Sequence, residues 1–171
     1  IGSENMTEDV LLRLAKRCNE VLQAQDIDGV VITHGTDTLE ETAYFLHLTV
    51  HSSKPIVLVG AMRPASAMSA DGPLNLLNAV KVAVWDDSYN QGVLVVMNDE
   101  IYSARDVSKV NTANLAAFKA PSAGSVGFIV GGQPSLYHAS LRRHTMQSEF
   151  YVDNLASLPR VDIIYTHIHE D

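Results

Sequence analysis

Asp28-Gly29-Val30-Val31-Ile32-Thr33-His34-Gly35-Thr36-Asp37-Thr38-Leu39-Glu40-Glu41-Thr42-Ala43-Tyr44-Phe45-Leu46 is the stretch that decides the fold. A β-branched run, Val30-Val31-Ile32, is what a strand buried on both faces requires. His34-Gly35 ends it. Thr38, with Glu41 three residues on, then fits a capping box, and Leu39, Ala43, Leu46 and Val50 fall on one helical stripe, so a helix is expected over about 38–51. Strand, glycine turn and helix in that order form half of a parallel βαβ unit.

The same alternation extends to both sides. Upstream, Val10, Leu14, Cys18 and Leu22 recur at helical spacing, so residues 7–25 read as an amphipathic helix with Thr7 as N-cap and Glu8 and Asp9 in its first turn. Downstream, Ile56-Val57-Leu58-Val59 is a second buried strand. A helix opening near Pro73 is expected to turn Leu74, Leu77 and Val84 inward. Val93-Leu94-Val95-Val96-Met97 is a third strand. Val126-Gly127-Phe128-Ile129-Val130 and the stretch ending at Tyr137-His138 meet through Gly131-Gly132 as a hairpin. Residues 139–160 are polar, contain Pro159 and read as a linker. Val161-Asp162-Ile163-Ile164-Tyr165 reads as the first strand of a smaller domain. The expectation is an α/β fold: a mostly parallel sheet flanked by helices, a C-terminal hairpin, an N-terminal domain over 1–138, a linker over 139–160 and a new domain from 161 to 171.

Composition narrows the function. The chain has 171 residues, enough for one domain of ordinary size, and 46% of them are hydrophobic, enough to bury a core. Twelve Lys and Arg against twenty Asp and Glu give a formal charge of −8, which argues against a nucleic acid or an anionic membrane as partner and for a small molecule. Cys18 is the one cysteine and has no internal disulfide partner. The chain opens on Ile1-Gly2-Ser3-Glu4-Asn5, neither an initiator Met nor a signal peptide, and reads as a piece of something longer.

Ligands of open α/β sheets bind beyond the carboxyl ends of the strands, at helix N-termini. His34 to Thr38, Gly60 to Pro64 and Asn98 to Glu100 hold that place. In the first, Gly35 admits close backbone approach and Thr36 and Asp37 add a hydroxyl and a carboxylate; ordinary helix capping would use the same residue types, and spacing leaves both readings open. Lys109 is expected in a loop after the third strand, where it is either a base toward Thr36 or a solvated charge. Ser66 to Asp71 reads as a loop feeding a helix cap. His47 and His51 read as surface histidines, since no third ligand accompanies them. No GxGxxG, phosphate loop or GxSxG elbow is present, which removes a nucleotide-binding reading.

With their flanks, these segments resemble a known family. Val31 to Leu46 resembles the second active-site signature of bacterial type II L-asparaginases and glutaminase-asparaginases. Val59 to Pro64, Met68 to Leu76, Met97 to Glu100, Ala104 to Lys109, and Arg143-His144-Thr145 with Ser148-Glu149-Phe150 fit the same family. The resemblance runs in order from Ile1 to the end.

It implies hydrolysis of the side-chain amide of L-asparagine and L-glutamine, with release of ammonia and without metal or cofactor. Of the family's two catalytic threonines, Thr36 matches the second. Asp37 matches the carboxylate that holds the substrate α-amine, and Lys109 the lysine that tunes Thr36. Ser3 matches the serine on the α-carboxylate, and Glu4 falls where many members carry Gln against the α-amine. Gly35 and the backbone around Ala61 match the segments that bind substrate and the leaving amide.

The family's first threonine, in a Thr-Gly-Gly-Thr segment, its flap tyrosine and a carboxylate from a neighbouring subunit have no match in this chain, so the chain alone is expected to be inactive. The resemblance further implies a homotetramer and a periplasmic or secreted enzyme, with a cytoplasmic one as the other option. The competing reading is an amino-acid-binding domain that keeps the pocket without the chemistry.

Overall fold

The computed structural model describes residues 2–164. After a 3-10 turn at Ser3–Asn5, the chain forms α1 (Glu8–Leu22), β1 (Val30–Thr33), α2 (Leu39–Thr49), β2 (Ile56–Val59), α3 (Gly72–Ala83) and β3 (Val93–Met97). Five further strands follow: β4 (Glu100–Ser103), β5 (Ser108–Lys109), β6 (Phe118–Lys119), β7 (Gly127–Val130) and β8 (Gln133–Leu136). One six-stranded sheet runs β1-β2-β3-β4-β7-β8, and β5 and β6 pair separately.

The α/β class expected from the sequence holds, and the sheet is mixed. β1, β2 and β3 are parallel in the register Val30–Ile56–Val93. Asn98 and Asp99 then take φ of 52° and 61°, a left-handed pair that Asn and Asp tolerate, and the chain folds straight back into antiparallel β4. The glycine hairpin is also present: Gly131 and Gly132, at φ 58° and 77°, join β7 to β8.

The central strands β2 and β3 are buried on both faces, whereas β1, β7 and β8 are only partly covered. Ile56, Leu58, Val93, Val95 and Met97 pack with Leu12, Ala15, Leu39, Ala43 and Leu46 of α1 and α2. Val57, Val59, Leu94 and Val96 pack with Ala79, Val82 and Ala83 of α3. Alternate residues of one strand thus serve opposite layers, which is why these strands read as unbroken apolar runs. Cys18 lies in the first layer, where burial pushes its thiol up to about 11, so it packs as an inert side chain.

Four expectations need correction. First, α3 turns Asn75, Asn78, Ala79, Val82 and Ala83 inward and leaves Leu74, Leu77 and Val84 exposed. The inward set has flawless helical spacing, but two of its members are asparagines, whose amides reach the loops at the sheet's end: Asn78 Nδ2 donates to Asp99 Oδ1 at 2.8 Å. Second, Thr38 makes no capping bond within α2; its hydroxyl donates to Ser3 O at 2.7 Å, while Thr7 does cap α1 by accepting from the Val10 N–H at 3.4 Å.

Third, the 161–165 strand is not formed at residues 161–164, which are exposed; without a neighbouring strand its backbone groups would go unpaired. Tyr165 and the remainder of the expected second domain, 166–171, lie outside the described residues. Within the stretch 139–160, Val152 is buried, Lys16 Nζ donates to Leu155 O at 2.6 Å and Asn19 Nδ2 donates to Asp153 Oδ1 at 3.0 Å, so the segment lies against α1 and α2.

Fourth, His47 is fully buried. Its Nδ1 accepts the Val93 N–H at 3.1 Å, and its ring lies 4.8 Å from that of His144. Gly92, at φ 74°, leaves the room: a Cβ there would meet His47 Cε1 at 2.6 Å. Burial, then the positive charges of His144 and Arg105, push the imidazole down to about 3 from an ordinary 6.5. The folded state therefore holds His47 neutral where the unfolded chain protonates it. The stability is complete above about pH 6.5 and is lost as pH falls toward 3; burial lowers His144 too and acts in the same direction. Thermal melts should show a steeper loss of Tm between pH 7 and pH 4.5 for the native chain than for His47→Gln, which keeps an acceptor for Val93. Parallel pH profiles would remove His47 as the cause.

Candidate active site

The site forms where β1 and β2 end. β1 delivers His34 and Gly35 to the start of α2, so Thr36 and Asp37 stand in the turn between them. His34 braces the turn: its Nδ1 lies 2.6 Å from Gly35 O and its Nε2 3.0 Å from Thr42 Oγ1. The first turn of the chain closes over it. Ser3 is buried, its Oγ accepts the Asp37 N–H at 3.3 Å, and its carbonyl accepts the Thr38 hydroxyl. A Cβ on Gly35 would stand 2.4 Å from Ser3 Oγ, so the fit requires glycine.

Lys109 arrives from β5, seventy-three positions away, and reaches both side chains of the turn. Its Nζ donates to Thr36 Oγ1 at 2.9 Å and to Asp37 Oδ1 at 3.0 Å. The lysine side chain is 16% exposed and the aspartate 61%, so the ammonium is largely shielded while the carboxylate remains open to a ligand. The neighbouring Thr36 and Asp37 thus meet the distant Lys109 as one group.

Glu40 is the residue that sequence reasoning missed. From the first turn of α2 its Oε1 accepts the Ser108 hydroxyl at 3.1 Å and its Oε2 accepts the Lys109 backbone N–H, so it docks β5 onto the site. Its signal was an acid beside Glu41 in the first turn, where the helix dipole alone accounts for it.

Gly35 and Asp37, the chain neighbours of Thr36, each line a hollow. A cleft of about 310 Å³ is lined by Gly35, Gly60, Ala61, Gly72 and Leu76 among others. A second hollow, about 450 Å³, lies along Asp37, Lys109, Val110, Asn111 and Thr112. A Cβ on Gly60 would meet His34 O at 2.7 Å, so β2 must end in glycine for the two turns to lie together. Glu4 sits beside Ser3, exposed, with its Oε1 accepting from Asn5 Nδ2 at 3.1 Å. Among the described residues no group of three or more His, Cys, Asp or Glu could hold a metal.

The chain has counterparts among known proteins. The family described as Asparaginase, N-terminal matches residues 1–142. The chain belongs to the asparaginase family. It is 54% identical over 167 residues to L-asparaginase 2 of Bacillus subtilis (strain 168), a match covering 96% of this chain and 44% of that protein. It is 53% identical over 165 residues to the glutaminase-asparaginase of Pseudomonas fluorescens biotype A, covering 96% and 45%. The crystal structure of a probable cytoplasmic L-asparaginase from Campylobacter jejuni superposes with a TM-score of 0.95 at 52% identity, covering 100% of this chain and 54% of that one. This asparaginase-family chain spans about half the length of the curated relatives it matches.

Proposed function

We propose that the protein carrying this asparaginase domain hydrolyses the side-chain amide of L-asparagine, and of L-glutamine, to the acid and ammonia. The observation that carries the reading is the single lysine amine shared between Thr36 Oγ1 and Asp37 Oδ1. A neutral hydroxyl is a weak nucleophile and needs a partner for its proton. A neutral Lys109 amine can accept that proton, and a Lys109 ammonium can hold the resulting alkoxide; the same 2.9 Å contact serves both arrangements. In acyl transfer the threonine oxygen bonds to the amide carbon, the C–N bond breaks with a proton delivered to nitrogen, and water then releases the acid. Backbone N–H groups at the Thr36 turn and near Ala61 are suited to the oxyanion. Asp37, more than half exposed, is suited to the substrate ammonium, and Ser3 to its carboxylate.

The expected result for the whole protein is ammonia release from L-asparagine and L-glutamine and none from an asparagine whose α-amine is acetylated. Tight binding of asparagine with no ammonia would establish the competing amino-acid-binding reading.

Two variants probe the pocket. Gly35→Ala should raise KM more than it lowers kcat, because the added methyl displaces Ser3, a ground-state contact. Glu4→Gln should shift kcat/KM toward asparagine: one methylene discriminates by only ~1–3 kcal/mol, so small changes in how the α-amine is held move the ratio. A ratio that stays put or moves toward glutamine removes Glu4 from specificity. We further infer a homotetramer in the whole protein from the family resemblance; the exposed Leu74, Leu77 and Val80 of α3, with Val84 just after it, form an apolar face that a neighbouring subunit can cover, and light scattering measures the assembly. Export is a separate proposal, since the Campylobacter jejuni protein is named cytoplasmic; cell fractionation decides it.

A further inference from the structure

Gly60 and Ala61 line one side of the cleft, yet the stretch they open, residues 60–71, forms no helix or strand. What fixes them is a side-chain clamp at the start of α3. Asp71 stands at the helix start but makes no capping bond to α3. It reaches back instead: Oδ2 accepts the Met62 N–H and Oδ1 the Arg63 N–H, each at 2.9 Å. Burial works against the charge, but these two N–H groups and the Asn75 amide overcome it and hold the carboxyl below its ordinary range, so it is ionised at neutral pH.

Asn75, only 3% exposed, completes the clamp. Its Nδ2 donates to Gly60 O at 3.1 Å and to Asp71 Oδ2 at 3.0 Å, while its Oδ1 accepts the Asn98 N–H at 3.1 Å. One amide therefore ties the end of β2, the end of β3 and the carboxylate together, using both kinds of hydrogen-bonding capacity that only Asn and Gln combine. The Gly60 N–H is held as well, by Met97 Sδ at 3.2 Å. Among the described residues the N–H groups on either side of Ala61 are thus engaged, and that of Ala61 has no partner in the fold.

We propose that Asp71 and Asn75 are positioning residues: they fix the Gly60–Arg63 backbone so that the Ala61 N–H is presented to the carbonyl oxygen of the reacting amide. The inference rests on the amidohydrolase reading above. It does not require either side chain to touch substrate. A preset donor stabilises the developing oxyanion without reorganising, so loosening the clamp costs turnover more than binding.

The test is Asp71→Asn in the whole protein, isosteric but short of one acceptor, with Asn75→Ser as the second variant. Expected are a kcat at least ~10-fold lower, since misplacement of about 1 Å costs up to ~10²-fold, and a KM within about threefold of wild type. Amide hydrogen exchange should quicken at Met62 and Arg63 and stay unchanged in β2 and β3. A kcat within twofold of wild type in both variants would overturn the proposal. So would kcat losses that track a falling Tm with KM rising in step, which marks general destabilisation. A wild-type protein that releases no ammonia would instead refute the amidohydrolase reading, while the exchange measurement would still report on the clamp.

Discussion

Thr36→Ala is expected to lower kcat for asparagine by at least ~10²-fold in the whole protein, with the fold intact. Thr36 is an intermediate-exposure residue in a turn, and its hydroxyl hydrogen has its acceptor, or its oxygen its donor, in Lys109 at 2.9 Å. The backbone of that turn is held independently by Ser3 and His34, so deleting the hydroxyl removes chemistry and leaves architecture. The melting temperature should move by only a few degrees, because no buried cavity is created. Steady-state ammonia release and a thermal melt on the same preparation check both halves. Near-normal turnover would exclude Thr36 from the reaction.

Lys109→Met is expected to lower kcat by a comparable factor, ~10²-fold or more, and to change KM much less, because a proton-transfer or alkoxide-holding group acts in the transition state. Methionine keeps most of the aliphatic stem. The Lys109 backbone N–H still meets Glu40, so β5 should remain docked. Lys109→Arg should fail to restore the rate: the guanidinium keeps the charge but is wider, and it cannot give up its proton at neutral pH. Unchanged kcat with raised KM would make Lys109 a binding residue.

Much of the framework could be read along the chain. The helix α1, the apolar runs of β1 to β3 and the Gly131-Gly132 turn each carry their structure in local pattern and each is where it is expected, although α1 buries Leu12, Ala15, Cys18, Asn19 and Leu22 and leaves Val10 and Leu14 of the expected stripe half-buried. β4 was missed because Glu100-Ile101-Tyr102-Ser103 is short and its turn, Asn98-Asp99, also suits a ligand loop. The inward face of α3 differs from the one hydrophobicity alone marks, because Asn75 and Asn78 are buried for their hydrogen bonds. His47 departs from expectation for the same reason.

At the site, the residue types of Thr36 and Asp37 are visible in the sequence, while their relation to Lys109 follows only from the family resemblance. No local pattern encodes a contact that depends on how β5 returns across the sheet. Ser66 to Asp71 reads as a loop feeding a helix cap, and nothing local in it shows that the partners of Asp71 lie eight and nine residues upstream.

The distance along the chain between Lys109 and Thr36 has a kinetic meaning. Their hydrogen bond spans 73 positions, and the bond from Asp37 to Ser3 spans 34 in the other direction. Contacts of such separation close only after the intervening chain has been ordered, because the entropy of closing the loop precedes its reward. β1, α2 and β2 can associate locally while the reactive group is still in pieces. The site is thus among the last things the polypeptide makes during folding, and nascent or half-folded copies present the threonine without its lysine.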